Sequence, residues 1–312
     1  MKALVNLNKT LNLVSDAAQP TLAKGEVKVR VHFASLNPTD LEIAEGKQDF
    51  FLKLFRVKSP VRTGLEFSGT VMEDSTRFEK GDRVFGYTHL IKGPKTHQEI
   101  LCIPEDYVAR IPGCMSFAEA AAFPLGAQTS LVALRDVAKL KSGQSVLING
   151  GSGGVGIFAI QIAKSMGVRV TAVSGPDGLE SMAALGADTV LNYRETKTET
   201  MTGAFDAILD LSNKLYFGQA KHLLVPRGTF IPADPTQHLA SFAGNLLRKK
   251  KVGYLFVDRG NGKILDSLSE QVANGSLDAT RFQEFGFTDF QEAIDALNRP
   301  GNIGRIVLRL VP

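Results

Sequence analysis

The 312-residue chain has no tryptophan and only two cysteines, Cys102 and Cys114, with no Cys-x-x-Cys pair. That excludes a disulfide framework and a thiolate-built structural zinc knot. Its five histidines, His32, His89, His97, His222 and His238, form no metal-ligand spacing. No Cys–His nucleophile arrangement occurs, so covalent hydrolysis through a cysteine has no carrier. The longest apolar stretch, Ala118 to Leu134, is interrupted by Glu119, Pro124 and Gln128 and does not suit a membrane span. Met1 runs straight into a strand-like segment without a charged-then-apolar leader, which makes a cytoplasmic protein the expectation. Charge is modest too. A net +4 favours an anionic ligand without establishing nucleic-acid binding. The densest basic run, Arg248-Lys-Lys-Lys251, reads as a solvated helix end, with an RNA-binding surface as its other reading.

The length suggests two domains. In the first hundred residues Val27, Val29, Val31 and Phe33 alternate with Lys28, Arg30 and His32, the period of a half-buried strand. Short apolar pieces follow between Gly and Pro punctuation: 64–72, 82–87, 99–104 and 107–111. Such close spacing predicts an antiparallel, barrel-like domain. The character changes at Ser116-Phe-Ala-Glu119, a capping-box pattern that opens a helix. Strand and helix patterns then alternate, with strands expected at 145–149, 169–173, 189–192, 205–211 and 229–231. That order predicts a parallel sheet wound by helices. Beyond about 255 a helix over 264–273, a second capping box at Thr288-Asp-Phe-Gln291 and a closing strand over 304–311 are expected.

Asn149-Gly-Gly-Ser-Gly-Gly-Val-Gly156 lies between the expected strand 145–149 and a helix with Val155, Phe158, Ala159, Ile162, Ala163 and Met166 on one face. Within it, Gly151-x-Gly153-x-x-Gly156 gives a tight turn, a backbone close enough to reach a pyrophosphate, and close helix–strand packing. The helix start offers free N–H groups and a positive dipole end to phosphates. A dinucleotide is the expected cofactor. Roughly 20 residues on, where a carboxylate would bind the adenosine ribose, the chain reads Val173-Ser174-Gly175. Ser174 leaves room for a 2′-phosphate, so NADPH is expected ahead of NADH, with Arg194 a lateral partner for that phosphate. Tyr193-x-x-x-Lys197 has the spacing of the short-chain dehydrogenase pair, but its place just after a strand makes it a chance match.

Taken together, Ala34-Ser-Leu-Asn-Pro-Thr-Asp40, Gly64-Leu-Glu-Phe-Ser-Gly69, Gly81-Asp-Arg-Val84, Ala120-Ala-Ala-Phe-Pro124, the glycine turn, Leu185-Gly-Ala-Asp188 and Gly304-Arg-Ile-Val-Leu308 resemble the medium-chain dehydrogenase/reductase superfamily. The closest likeness is to its zinc-independent quinone oxidoreductase branch. The resemblance implies an α/β fold: a GroES-like β-barrel catalytic domain (1–117 and 256–312) and a Rossmann doubly wound parallel-sheet NAD(P)-binding domain (118–255). It also locates the zinc position of the alcohol dehydrogenases, where a Cys and a His would stand. Here those positions are Asn37 and Leu65, and neither side chain is a zinc ligand. No zinc is expected.

The same resemblance assigns Asn37 beside the nicotinamide and Thr129 behind its ring. It assigns Ser152, Gly153, Gly154, Val155 and Gly156 to the pyrophosphate, Ser174 and Tyr193 to the adenosine half, and Leu211 to the ribose. For Asn37, Thr129 and Tyr193, ordinary capping and packing are the competing readings. The expected activity is hydride transfer from NADPH to a quinone or α,β-unsaturated carbonyl, with Tyr87 a candidate proton donor and Phe50 to Phe55 a candidate mouth of the acceptor site. The alternatives are an enoyl-thioester reductase on the same scaffold and a non-catalytic NADPH-dependent RNA-binding protein. A homodimer is the family expectation.

Overall fold

A computed structural model describes residues 1–47, 49–54, 61–246, 249–299 and 301–311 of the chain. Its strands begin with β1 (Ala3–Leu7), β2 (Thr10–Val14), β3 (Glu26–Leu36), β4 (Val61–Arg62), β5 (Glu66–Val71), β6 (Arg83–Tyr87), β7 (Ile100–Pro104) and β8 (Val108–Arg110). There follow β9 (Ser145–Asn149), β10 (Arg169–Ser174), β11 (Thr189–Asn192), β12 (Phe205–Asp210), β13 (Leu224–Pro232) and β14 (Lys251–Val252). The last two are β15 (Phe282–Gly286) and β16 (Arg305–Arg309). Two compact units result. One holds Met1–Leu125, Asp258–Arg299 and Arg305–Pro312; the other holds Gly126–Val257 and Pro300–Gly304.

In the first unit a sheet runs β15-β16-β3-β5-β6-β8, with β7 also paired to β3. All its pairings are antiparallel except β15 with β16. The alternation in β3 is realised: Val27, Val29 and Val31 are buried, as two-residue periodicity on a one-sided strand requires. Phe67, Phe78, Val84, Leu101 and Leu308 complete the core around them. The β3–β5 register shifts between Val31 and Phe33. A Cβ on Gly69 opposite would lie 2.1 Å from the Arg30 carbonyl oxygen, so only glycine permits this approach. The closing strand β16 pairs antiparallel with β3 through Ile306 to Leu36 and Leu308 to Ala34, completing the sheet with the chain's last residues.

Two expected capping boxes fare differently. At Phe117–Ala122 the Ser116 hydroxyl accepts from Glu119 N (3.2 Å) and Ser116 N donates back to Glu119 Oε2 (2.6 Å). The alanines of this helix pack with Val307 of β16, where small side chains allow close approach. At Thr288 no box forms. Thr288 sits inside a 3₁₀ turn, Phe287–Asp289, and the helix Phe290–Asn298 starts one residue later from Asp289. The Thr288 hydroxyl donates to Asp289 Oδ1 instead (3.1 Å).

The second unit is a parallel sheet ordered β11-β10-β9-β12-β13-β14. Val146, Leu147 and Ile148 of the central β9 are all buried, as a strand covered on both faces demands. The helix Gly156–Ser165 follows β9. Its expected single apolar face understates its burial, because Ile157 through Ala163 are buried all round. A second helix, Pro124–Leu131, brings Gly126 against Phe158, so the outer side is covered as well.

Phe67 lies fully buried among Val31, Val84 and Leu101 of neighbouring strands. Phe67→Ala is expected to lower the unfolding free energy by about 3–5 kcal/mol, read as a fall in the urea midpoint at unchanged slope.

Candidate functional site

The glycine turn is shaped by the absence of side chains. After β9 the chain enters Gly150 at φ +91, a backbone conformation closed to most residues. Gly150 N (2.9 Å) and Gly151 N (3.0 Å) both donate to the Val173 carbonyl of β10. A Cβ on Gly151 would lie 2.7 Å from Met182 Sδ, and one on Gly156 would lie 2.3 Å from the Gly150 carbonyl oxygen. Gly156 is therefore required by the turn's own backbone, whereas a Cβ on Gly151 would have to displace Met182 and crowd Ala172. Gly153 differs: the nearest atom to a Cβ there is 3.5 Å away. A Cβ is therefore tolerated at that point, beside the start of the helix, where Ile157 N and Phe158 N donate to the Gly153 and Val155 carbonyls (3.1 Å each). The turn's own amides and the positive helix end suit a pyrophosphate.

A segment distant in sequence fixes the same turn. Gly304 N donates to the Ser152 carbonyl (3.0 Å), and Gly153 forms a bridge with Gly304. Gly301, at φ +81, lies against Asp177, where a Cβ would meet Oδ2 at 2.6 Å. Sequence reading missed residues 301–304. Their one available signal was the glycine spacing just before β16.

Within the second unit most expected contacts converge. A Cβ on Gly178 would lie within 2.7 Å of both Ser152 Oγ and Ser174 Oγ, which places these two hydroxyls side by side. The Ser174 hydroxyl donates to the Gly175 carbonyl (2.8 Å), and Tyr193 N donates to the Ser174 carbonyl (3.0 Å). The Tyr193 ring is about half exposed and flanks Gly175. Leu211 sits against Gly150, its N donating to the Asn149 carbonyl (2.8 Å). Buried Asp210 orders that end of the sheet by accepting from Asn149 Nδ2 (2.9 Å), Ser212 Oγ (2.7 Å) and Leu215 N (3.1 Å). Thr129 lies half-buried on the helix Pro124–Leu131. That helix is bound to the turn by Ser130 Oγ, which donates to the Val155 carbonyl (3.0 Å).

Asn37 and Tyr87 lie in the first unit. Asn37 precedes the helix Pro38–Ala44; its N donates to Asp40 Oδ2 (2.9 Å), and Gly64 N donates to Asp40 Oδ1 (2.7 Å). Beside it is a buried ionic network that sequence reading did not find. Glu66, with no exposed surface, accepts from Arg305 Nη2, Ser35 Oγ, Asn37 Nδ2 (3.1 Å) and Leu125 N (2.8 Å). Arg305 Nε donates to the Ala122 carbonyl (3.1 Å), and burial lowers its pKa to about 10. A carboxylate only accepts, so it holds the Asn37 NH₂ inward, where Ser35 Oγ also lies at 3.1 Å.

Tyr87 is buried, and burial, with the Asp258 and Asp40 carboxylates adding to it, raises its phenol above the ordinary range. Leu65, at the second expected zinc position, is fully buried. Among the described residues no three His, Cys, Asp or Glu side chains converge as a metal site. Of the candidate mouth Phe50 to Phe55, Phe55 and the side chains of Phe50 and Phe51 lie outside the described residues, as does Arg248 of the basic run. Lys249 and Lys250 of that run line a cavity of about 510 Å³ with Phe217, Gly218, Lys221 and Ser241. Among the described residues no helix is long and apolar enough to cross a membrane.

Gly153→Val tests the cradle, because a Cβ is tolerated there and the added bulk would stand where the pyrophosphate is expected. Its melting temperature is expected to stay near the parent's while reduced-dinucleotide binding, followed by nicotinamide fluorescence, weakens at least tenfold. Arg305→Met strands the Glu66 carboxylate in the core and is expected to cost about 3–5 kcal/mol of stability in urea denaturation.

Two family models match parts of the chain. The family model described as "Alcohol dehydrogenase GroES-like domain" matches residues 23–134, and that described as "Zinc-binding dehydrogenase" matches residues 185–308. The chain is 29% identical over 314 residues to the 2-methylene-furan-3-one reductase of Solanum lycopersicum, covering 97% of this chain and 76% of that protein. It is 30% identical to the spectinabilin polyketide synthase system protein NorB of Streptomyces orinoci, covering 95% of this chain but 14% of the synthase. Among solved structures, the quinone oxidoreductase of Coxiella burnetii superimposes with a TM-score of 0.86 at 28% identity, covering 100% of this chain and 99% of that one. The chain belongs to the medium-chain dehydrogenase/reductase superfamily, in its quinone oxidoreductase-like branch, and is an oxidoreductase of that type.

Proposed function

We propose that this oxidoreductase uses NADPH to reduce an α,β-unsaturated carbonyl or quinone, without zinc. The observation that carries the reading is the glycine turn itself, with Gly150 at φ +91 and a Gly156 that admits no Cβ, leading into the helix Gly156–Ser165. Ser152, Gly153, Gly154, Val155 and Gly156 would hold the pyrophosphate. Ser174 and Tyr193 would flank the adenosine half, Leu211 the ribose, and Thr129 and Asn37 the nicotinamide. Ser174 in place of a carboxylate supports NADPH over NADH, with exposed Arg194 as a partner for the 2′-phosphate.

The bound cofactor supplies the hydride. The protein's share is to orient the partners and exclude water. At Asn37 the amide nitrogen is committed to Glu66 and Ser35, so this side chain offers an acceptor where the zinc enzymes carry a thiolate ligand. Polarisation of the acceptor carbonyl by a zinc ion then has no ligand set here. Tyr87, whose phenol stays protonated through neutral pH, is a candidate proton source. The first unit would carry the acceptor and the second the cofactor, in a cytoplasmic protein. The expected homodimer is supported by exposed Tyr254 and Phe256 just beyond the edge strand β14.

The similarity to a polyketide synthase segment favours a second reading, reduction of an enoyl thioester. One experiment separates them: absorbance-monitored NADPH and NADH oxidation with quinones, short enals and enoyl thioesters side by side. Turnover on quinones or enals, faster with NADPH, is expected. Turnover confined to thioesters supports the second reading, and cofactor binding without turnover on any of the three overturns both.

A further inference from the structure

We propose that the second unit holds a further ligand site, one that takes a phosphate monoester carried on an apolar body of small-molecule size. The site is a cavity of about 510 Å³ lined by Phe217, Gly218, Lys221, Ser241, Lys249 and Lys250. The helix Phe217–Ala220 and the turn after it supply the first three, and the helix Leu239–Ala243 supplies Ser241. The approach to β14 supplies the other two lysines. The assignment does not rest on the reductase reading.

All six residues come from a stretch of chain in which charge is sorted. From 211 to 257 the sequence has seven Lys and Arg and one acid, Asp234, although the whole chain is close to balanced at 36 against 32. Asp234 follows β13, at the far end of that strand from Lys221. Among the described residues no carboxylate pairs with Lys221, Lys249 or Lys250, whereas Lys164 in the same unit is paired with Asp188 at 2.7 Å. Lys250 Nζ donates to the Lys221 carbonyl (2.8 Å), which holds the approach to β14 against the end of the helix Phe217–Ala220. Cations gathered without acids repel one another, and an anion among them relieves that repulsion.

The lining narrows the choice of anion. Lysines act as point charges and suit the oxygens of a phosphate, whereas the planar fork that reads a carboxylate in two bonds is absent from the lining. Ser241 adds a hydroxyl that can donate to the same group. Phe217 is buried in the core with its ring 6.1 Å from that of Phe230, so it gives the cavity an apolar floor. The aliphatic stems of the lysines extend that wall. Volumes of roughly 300–1,000 Å³ hold molecules well beyond inorganic phosphate in size, so the occupant carries an organic body.

This site is separate from the dinucleotide turn. In the parallel sheet the glycine turn follows the carboxyl end of β9, Ser174 closes β10 and Leu211 follows β12. Lys221 precedes β13, and Lys249 and Lys250 precede β14, so the lysines lie at the amino ends of the strands. The neighbouring His222 confirms that edge, its Nε2 lying 3.3 Å from the carbonyl of Met201, which precedes β12. Cofactors of wound sheets sit at the carboxyl edge. An occupant of the amino edge is therefore a second ligand.

Titration calorimetry on the full chain tests this with methylumbelliferyl phosphate, unphosphorylated methylumbelliferone and inorganic phosphate. Each is measured alone and with excess NADH, a dinucleotide without a phosphate monoester. The monoester is expected to bind one site with NADH present, about tenfold tighter than inorganic phosphate, while the unphosphorylated ring does not saturate. Lys221→Gln combined with Lys250→Gln is expected to weaken it at least about tenfold. Ser241→Leu keeps every charge but fills the cavity, and is expected to weaken it as much; should that variant not fold, the lysine pair decides. Lys251→Gln removes a charge of the same basic run outside the lining and is expected to change affinity less than about threefold. Displacement of the monoester by NADH, equal affinity for inorganic phosphate, or parental affinity in the lysine variant overturns the site. A loss in Lys251→Gln as large as in the lysine pair, with tight binding of single-stranded RNA, also overturns it and makes the run a diffuse basic surface.

Discussion

A carboxylate with no contact with water must have its charge met inside the protein, and Glu66 organises the first unit around that demand. Arg305 answers it from the chain's last strand, Ser35 and Asn37 from β3 and its end, and Leu125 N from the start of a helix. The pair alone is not a stabilising device, since desolvating two ions offsets much of their attraction. Its effect is to specify geometry. Removing either ion strands the other, so β3, β5, β16 and the Ala122 carbonyl are fixed relative to one another. The Asn37 amide inherits its orientation from the same arrangement. The Asn37 amide nitrogen is thereby held toward Glu66 and Ser35.

The second unit applies a steric constraint in place of an electrostatic one. At Gly156 the turn's own backbone excludes a side chain and at Gly151 Met182 and Ala172 would have to yield, whereas at Gly153 a Cβ would make only ordinary contact. Ser152 and Ser174 meet at Gly178, and Gly304 ties Ser152 from the far end of the sequence. The elements that determine a dinucleotide site are thus packing relations among backbone atoms. A sequence records such relations as glycines.

Where the determining relation is local, the residues disclose it. The alternation of Val27, Val29 and Val31 and the Ser116–Glu119 box were readable because each involves neighbours within one turn or strand. The Thr288 box matched the same pattern and failed, since a 3₁₀ turn moved the helix start by one residue. The helix after the glycine turn showed its inner face in the sequence but not its outer cover, supplied by the helix Pro124–Leu131. Least legible were the long-range partners. Glu66 and Arg305 are 239 positions apart, and each in isolation resembles an ordinary surface charge.

The chemistry we propose is hydride transfer from a bound nicotinamide to a conjugated acceptor with no metal taking part. Single-turnover oxidation of protein-bound NADPH by an enone, before and after treatment with a strong zinc chelator, tests it. Loss of one equivalent of NADPH absorbance at the same rate in both is expected. A rate that collapses on chelation and returns with added zinc would contradict it.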